Sequence, residues 1–122
     1  MELEYSIILI IEGAYMSSRR LYELHASICQ TLSNPKRLEV IDCLQDGELP
    51  VTKLAEIINI SQANLSQHLA IMREKGIVIA RREGSNVYYR LSNPKITQAC
   101  DLMRQVLLEH LEAGAELAGT PR

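Results

Sequence analysis

The stretch from Val51 to Leu91, VTKLAEIINISQANLSQHLAIMREKGIVIARREGSNVYYRL, constrains the fold more than any other part of the chain, because two short helical patterns run directly into a two-strand pattern. In the second helical pattern Leu65, Leu69 and Met72 recur at the spacing of one helix face and define a buried stripe. Ala63, Asn64, Gln67 and Ala70 fall on the far side, which is small and amide-rich where a helix meant only for water more often carries Lys and Glu. Short side chains allow close approach, and Asn or Gln can pair bidentately with adenine. Leu54, Ala55 and Ile58 give the first pattern its inward face, with Thr52 as the expected cap. Asn59 supplies a residue tolerant of left-handed backbone for the turn, Ser61 caps the second helix and Gly76 ends it. Ile77 to Ala80 is then apolar and β-branched, and VYYRL alternates with Val87, Tyr89 and Leu91 on one face, so a hairpin with Gly84 at its tip follows. The expected unit is a helix-turn-helix with a two-strand β-hairpin wing.

Charge is distributed to match. The chain of 122 residues carries a formal net charge of -2, which argues against indiscriminate coating of nucleic acid. Between Arg73 and Arg90, however, Arg73, Lys75, Arg81, Arg82 and Arg90 are opposed only by Glu74 and Glu83. Arg81, Arg82 and Arg90 flank the hairpin tip, where they could straddle a sugar-phosphate backbone. The competing reading is an ordinary solvated hairpin.

The flanking segments read as support. Ser17 or Ser18 can cap a first helix whose Leu21, Leu24, Ile28 and Leu32 share a face with Cys29. Ser33 or Asn34, with Pro35 at the first helical position, opens a second, in which Leu38, Val40, Ile41 and Leu44 face the core before Gly47. Lys36 and Arg37 stand in its first turn, where cations oppose the helix dipole, and a nearby phosphate would be one reason to keep them. The tripeptide Ser92-Asn93-Pro94 repeats the same opening for a last helix, with Ile96, Ala99, Cys100, Met103, Val106, Leu107, His110 and Leu111 on one broad side. That stripe is most economically buried against the first helix and their symmetry mates, giving an isologous dimer. The expected organisation is therefore an apolar N-terminal extension over 1–16, a winged-helix and dimerisation domain over 17–113, and a flexible tail over 114–122. Residues 3–16 lack the basic start of a signal peptide and are too short to span a bilayer; they read either as a helix apolar all round or as a short extended arm, and as a start-site artefact or an atypical extension. Three widely spaced cysteines with no CxxC pair suit a reducing cytoplasm and no membrane association.

Taken together, LSNPKRLEVIDCL, LAEIINISQANLSQHLAIMREKGIV and RREGSNVYYRL resemble the ArsR/SmtB family of winged-helix repressors. The likeness covers about half the chain and lies in three motifs in the correct order. It implies an α+β, mainly α fold and a cytoplasmic homodimer joined by its first and last helices. It further implies that the dimer represses transcription from a double-stranded DNA operator, expected to be an inverted repeat, and leaves it when an inducer binds. By the same resemblance, readout comes from residues 61–74. Ser61 and Gln62 would sit on phosphate at the helix start, and Asn64, Ser66 and Gln67 would face base edges. His68, nearer the Leu65 and Leu69 stripe, reads as a partly buried hydrogen-bonded histidine rather than a metal ligand.

The chain departs from the family at its sensors. Where some members carry CxC, this one reads Leu49, Pro50, Val51, Thr52, and on the last helix Asp101 is followed by Met103 while His110 lacks matching partners. No metal ligand set is therefore expected. The remaining candidates are Cys29 and Cys100, on the helices expected to form the dimer interface, with Cys43 as the alternate. They would respond to oxidants or reactive sulfur, or hold a thiophilic metalloid such as arsenite with a third thiolate. Against this, free cysteine often serves as a small hydrophobe. Two further readings stand beside the repressor: a protein-interaction module using the same surface, and a constitutive DNA-binding regulator with no thiol sensor. No catalytic constellation is present, so an enzyme is not expected.

Overall fold

The computed structural model describes residues 10–11, 14–15 and 17–118. A two-residue ladder pairs β1 (Ile10–Ile11) antiparallel with β2 (Ala14–Tyr15), so this part of the N-terminal extension is extended rather than helical. The other residues of the 1–16 extension lie outside the described residues.

Helices α1 (Ser18–Thr31), α2 (Pro35–Cys43), α3 (Val51–Ile58), α4 (Gln62–Glu74) and α5 (Lys95–Ala118) follow the expected order, with strands β3 (Leu49–Pro50), β4 (Val78–Glu83) and β5 (Asn86–Leu91) between them. Capping explains most of the boundaries. Ser17 accepts from the Arg20 amide at the start of α1, Asn34 from the Lys36 and Arg37 amides at the start of α2, and Ser61 from the Asn64 amide at the start of α4. Asn93 accepts from the Lys95 amide at 2.9 Å, so the two Ser-Asn-Pro tripeptides both use their asparagine.

Thr52 does not cap α3. The helix begins two residues earlier, at Val51 after Pro50, and has no side-chain cap, because Leu49–Pro50 is held extended as a short strand. This strand is the element the periodicity missed: β3 pairs antiparallel with β5, and the wing is a three-stranded sheet in the order β3-β5-β4. Two residues are too few to show alternation, and only the partner strand makes them a strand. At the wing tip Glu83 faces Asn86 across Gly84 and Ser85, and Gly84 alone has positive φ (+63°), as a two-residue type II′ turn requires.

The core lies where α2, α3, α4 and the start of β4 meet. Val40, Ile41, Leu44, Leu54, Ala55, Ile58, Leu65, Leu69, Met72, Ile77 and Val78 are buried there. Each large aliphatic side chain taken from water contributes about 1.5–3 kcal/mol, so this cluster is the main source of stability. Leu38, expected in the core, is exposed instead, because α2 turns Val40, Ile41 and Leu44 inward. At the other end α5 continues to Ala118, past the expected boundary at residue 113. Gly114 lies within this helix, with no neighbouring atom crowding it. Residues 119–122 of the proposed tail lie outside the described residues. Among the described residues no helix is long and apolar enough to cross a membrane.

Candidate nucleic-acid interface

Helix α4 is held by its buried stripe and offers the opposite face to solvent. Leu65, Leu69 and Met72 are fully buried, while Ser61, Gln62, Ala63, Asn64, Ser66, Gln67 and Ala70 are all exposed. The turn that aims this helix is local: Asn59 adopts left-handed backbone (φ 61°, ψ 53°), and the amides of Asn59 and Ile60 both donate to the Ala55 carbonyl. The five polar residues expected to read DNA thus share one exposed surface. Among them, Ser61 spends its side-chain oxygen on the helix cap, leaving its hydroxyl hydrogen outward.

The three wing arginines are not equivalent. The Arg81 guanidinium makes a two-pronged bond to Glu48 (Nε at 3.0 Å, Nη2 at 2.6 Å), a third to Glu83 at 2.6 Å, and lies 4.6 Å from the Tyr88 ring centre. These bonds hold the Glu48 carboxyl below its ordinary pKa and push Arg81 higher still. In the chain without DNA, Arg81, an expected phosphate contact, braces β4 to the loop before β3. Arg82 makes no ion pair among the described residues, and Arg90 donates only a long 3.4 Å bond to the neighbouring Leu91 carbonyl. Among the wing arginines, Arg82 and Arg90 have no carboxylate partner among the described residues, and in this they differ from Arg81.

Lys36 and Arg37 are likewise turned inward. Lys36 donates to the Ile58 carbonyl at 3.3 Å and pairs with Glu39, so it closes the end of α3. Arg37 donates from Nε to His68 Nδ1 at 3.1 Å and from Nη1 to the Thr31 carbonyl at 3.0 Å. His68 is therefore the hydrogen-bonded histidine expected from its place beside the stripe. A polar ring at the margin of a buried stripe signals the need for a partner, but that partner lies 31 positions away and only the fold supplies it.

The cysteines separate differently from the expectation. Cys29 is exposed on α1, whereas Cys43 and Cys100 both pack partly buried against the same core, on α2 and α5. Those two helices pack together, and Arg104 of α5 reaches Asp42 of α2 at 3.8 Å, next to Cys43 and one turn beyond Cys100. Within one chain, therefore, Cys43 and Cys100 lie on two helices that pack together, whereas Cys29 stands exposed on α1. Burial, followed by Asp42 and Glu39, raises the Cys43 thiol pKa. Burial is also the main cause for Cys100, with Arg104 opposing it and Asp101 adding to it. No group of three or more metal-ligating side chains occurs among the described residues.

The last surface is apolar. Leu102, Met103, Val106, Leu107, Leu108 and Leu111 of α5 are between 44% and 68% exposed, and Tyr22 and Leu24 of α1 are open as well. A soluble chain seldom leaves so much contiguous aliphatic surface to water unless another chain covers it.

Comparison with known proteins agrees with this layout. Residues 34–80 match the profile described as bacterial regulatory protein, arsR family. The uncharacterised HTH-type transcriptional regulator Rv0081 of Mycobacterium tuberculosis is 33% identical over 110 residues, spanning 81% of this chain and 96% of that protein. Its crystal structure superposes with a TM-score of 0.71. The biofilm growth-associated repressor of Xylella fastidiosa is 42% identical over 73 residues, covering 60% of this chain and 64% of the other. The homodimeric winged helix-turn-helix DNA-binding domain of Mb0332 from Mycobacterium bovis, a possible ArsR-family regulator, aligns over 84% of this chain and 95% of its own at 31% identity and a TM-score of 0.71. A free amide-bearing helix, a braced wing and a relative one-third identical along nearly its whole length lead to one conclusion: the chain belongs to the arsR family of bacterial regulatory proteins and is a winged-helix transcriptional regulator, not an enzyme.

Proposed function

We propose that the chain acts as a homodimeric repressor that reads an inverted-repeat operator in double-stranded DNA and leaves it when thiol chemistry joins Cys43 to Cys100. The observation that carries the DNA reading is the α4 surface on which Gln62, Asn64, Ser66 and Gln67 lie exposed together, with Arg82 and Arg90 on the wing. Amide side chains discriminate base edges, and the two arginines supply the phosphate term. Dimerisation is supported by the open aliphatic face of α5 and α1, and by the homodimer described for Mb0332. Repression is the activity named for the Xylella fastidiosa relative.

The switch reading is supported by Cys43 and Cys100 each packing partly buried against the core, on two helices that contact one another. A peroxide would oxidise one thiolate to a sulfenic acid and depart as water, and the second thiolate would displace hydroxide to close the disulfide. Two thiols and one peroxide thus give one disulfide and two waters. Because burial keeps both thiols protonated, this step should quicken as pH rises. A bond between α2 and α5 acts on the junction between the reading head and the dimer face, the lever by which half-site spacing can change.

The test is binding to a duplex from the promoter of its own gene, before and after peroxide, polysulfide or arsenite, with each cysteine changed to serine. We expect oxidant to weaken binding in the parent chain and in Cys29→Ser, with loss of the response in Cys43→Ser and Cys100→Ser. A response that survives removal of all three thiols would leave a regulator without a thiol sensor. Duplex binding that is absent, or insensitive to salt, would leave a protein-interaction module.

A further inference from the structure

Arg37 stands in the first turn of α2, where a cation opposes the helix dipole, yet its guanidinium is turned into the protein. Its two bonds tie the carboxyl end of α1, through the carbonyl of the buried Thr31, to His68 in the middle of the reading helix. His68 lies beside Gln67 and one turn beyond Asn64. Any shift of the ring's anchor is therefore felt at the residues that face DNA.

The chemistry of the bond dictates a protonation state. Arginine is always cationic and offers only donors, so Arg37 Nε–H requires a bare Nδ1, and His68 must be neutral with its proton on Nε2. Burial, and after it the Arg37 charge, depress the imidazole pKa, which keeps the acceptor available. Protonation would place a second donor against the first and one cation beside another. Among the described residues, no carboxylate contributes to the shift of the ring, whose causes are burial and the Arg37 charge. Glu39 of α2 pairs with Lys36, Glu56 of α3 with Lys53, and Glu83 of β4 with Arg81, while Arg37 is the charge acting on the ring.

We propose that Arg37 and His68 are positioning residues for operator reading, and that protonation of His68 breaks their bond, releases α4 from its fixed placement and weakens DNA binding. Neither side chain need touch DNA. This inference rests on the DNA reading proposed above. With a folded pKa below the unfolded one, the bond's stabilisation is present above the ordinary histidine value and is lost as pH falls through the depressed folded value. The direction is informative, because added positive charge by itself tightens binding to a polyanion, whereas loss of this bond weakens it.

The experiment measures affinity for the same promoter duplex from about pH 7.5 to about pH 5 at fixed salt, a range that starts above ordinary histidine titration and extends below it to take in the depressed His68 value. The parent chain should lose at least about threefold on acidification. His68→Asn presents an uncharged acceptor at the same distance from Cβ as Nδ1, so it should retain affinity at the upper pH and lose the acid-induced fall. Arg37→Gln should bind more weakly throughout and show no fall. An acid-induced fall undiminished in His68→Asn, or parent-like affinity in Arg37→Gln, overturns the proposal. Nuclear magnetic resonance of the parent chain keeps the question decidable if a variant fails to fold. The Arg37 Nε–H signal must move with the His68 titration, and independence of the two also overturns it. Should the parent bind no duplex at any pH, the DNA reading fails, while that coupled titration still reports on the bond.

Discussion

Helices α4 and α5 both leave one face open, and the two faces have opposite chemistry. On α4 Leu65, Leu69 and Met72 are fully buried inside the chain, and the face opposite them carries amides, a hydroxyl and alanines, with Ile71, Arg73 and Glu74 also exposed toward its end. Among the described residues of α5, the hydrophobic side chains packed on the core are Ile96 and Cys100, near its start, and six large apolar residues beyond them stay exposed. A polar face with short side chains suits a hydrogen-bonding polyanion that must approach closely, whereas an aliphatic face suits another copy of itself. The first surface is complete within one chain and the second is not. That contrast separates reading DNA from setting the distance between two readers.

The comparison breaks most visibly at α5. Leu107→Asp places a charge in the centre of the apolar face, and we expect the dimer to separate in sedimentation while the single chain stays folded, since the core lies elsewhere. Losing the linked second half-site should reduce operator affinity by about 10²- to 10⁴-fold. A dimeric, fully binding variant would show that α5 is not the joining surface.

A smaller effect tests the other face. Gln67→Ala should cost about 1–3 kcal/mol of discrimination at its base pair, with the dimer and the salt dependence unchanged. Competition between the cognate duplex and a set of single-base variants measures it, and uniform weakening across the set would assign Gln67 to the backbone instead.

The smallest expected effect distinguishes the neighbouring wing arginines. Arg82→Ala should reduce the slope of log affinity against log salt by about 1, the signature of one lost phosphate contact. Arg81→Ala should leave that slope nearly intact, because its guanidinium is already occupied by Glu48 and Glu83. It should instead loosen the wing, seen as faster amide exchange along β4. Equal slope changes in the two variants would mean that Arg81 leaves its carboxylates when DNA arrives.

The helices, their order and the free face of α4 were legible in the residues themselves, because helical periodicity, asparagine and serine caps, and glycine turns act within a few positions. Thr52 and Leu38 were misassigned for related reasons. The first depended on a short strand made only by its partner β5, and the second on which way α2 rolls against the core.

What the amino-acid order determined by itself was therefore local: where helices begin, which residues form the buried stripe, and that an amide-rich surface stands opposite it. Tertiary structure alone decided the pairings across long separations. It placed Arg81 on Glu48 and Arg37 on His68, and it set Cys43 and Cys100 against the core while leaving Cys29 exposed. The physical reason is that charge and hydrogen-bonding capacity can be read from a residue type, but a partner is chosen by proximity. Proximity between residues about 30 positions or more apart exists only after the core has closed.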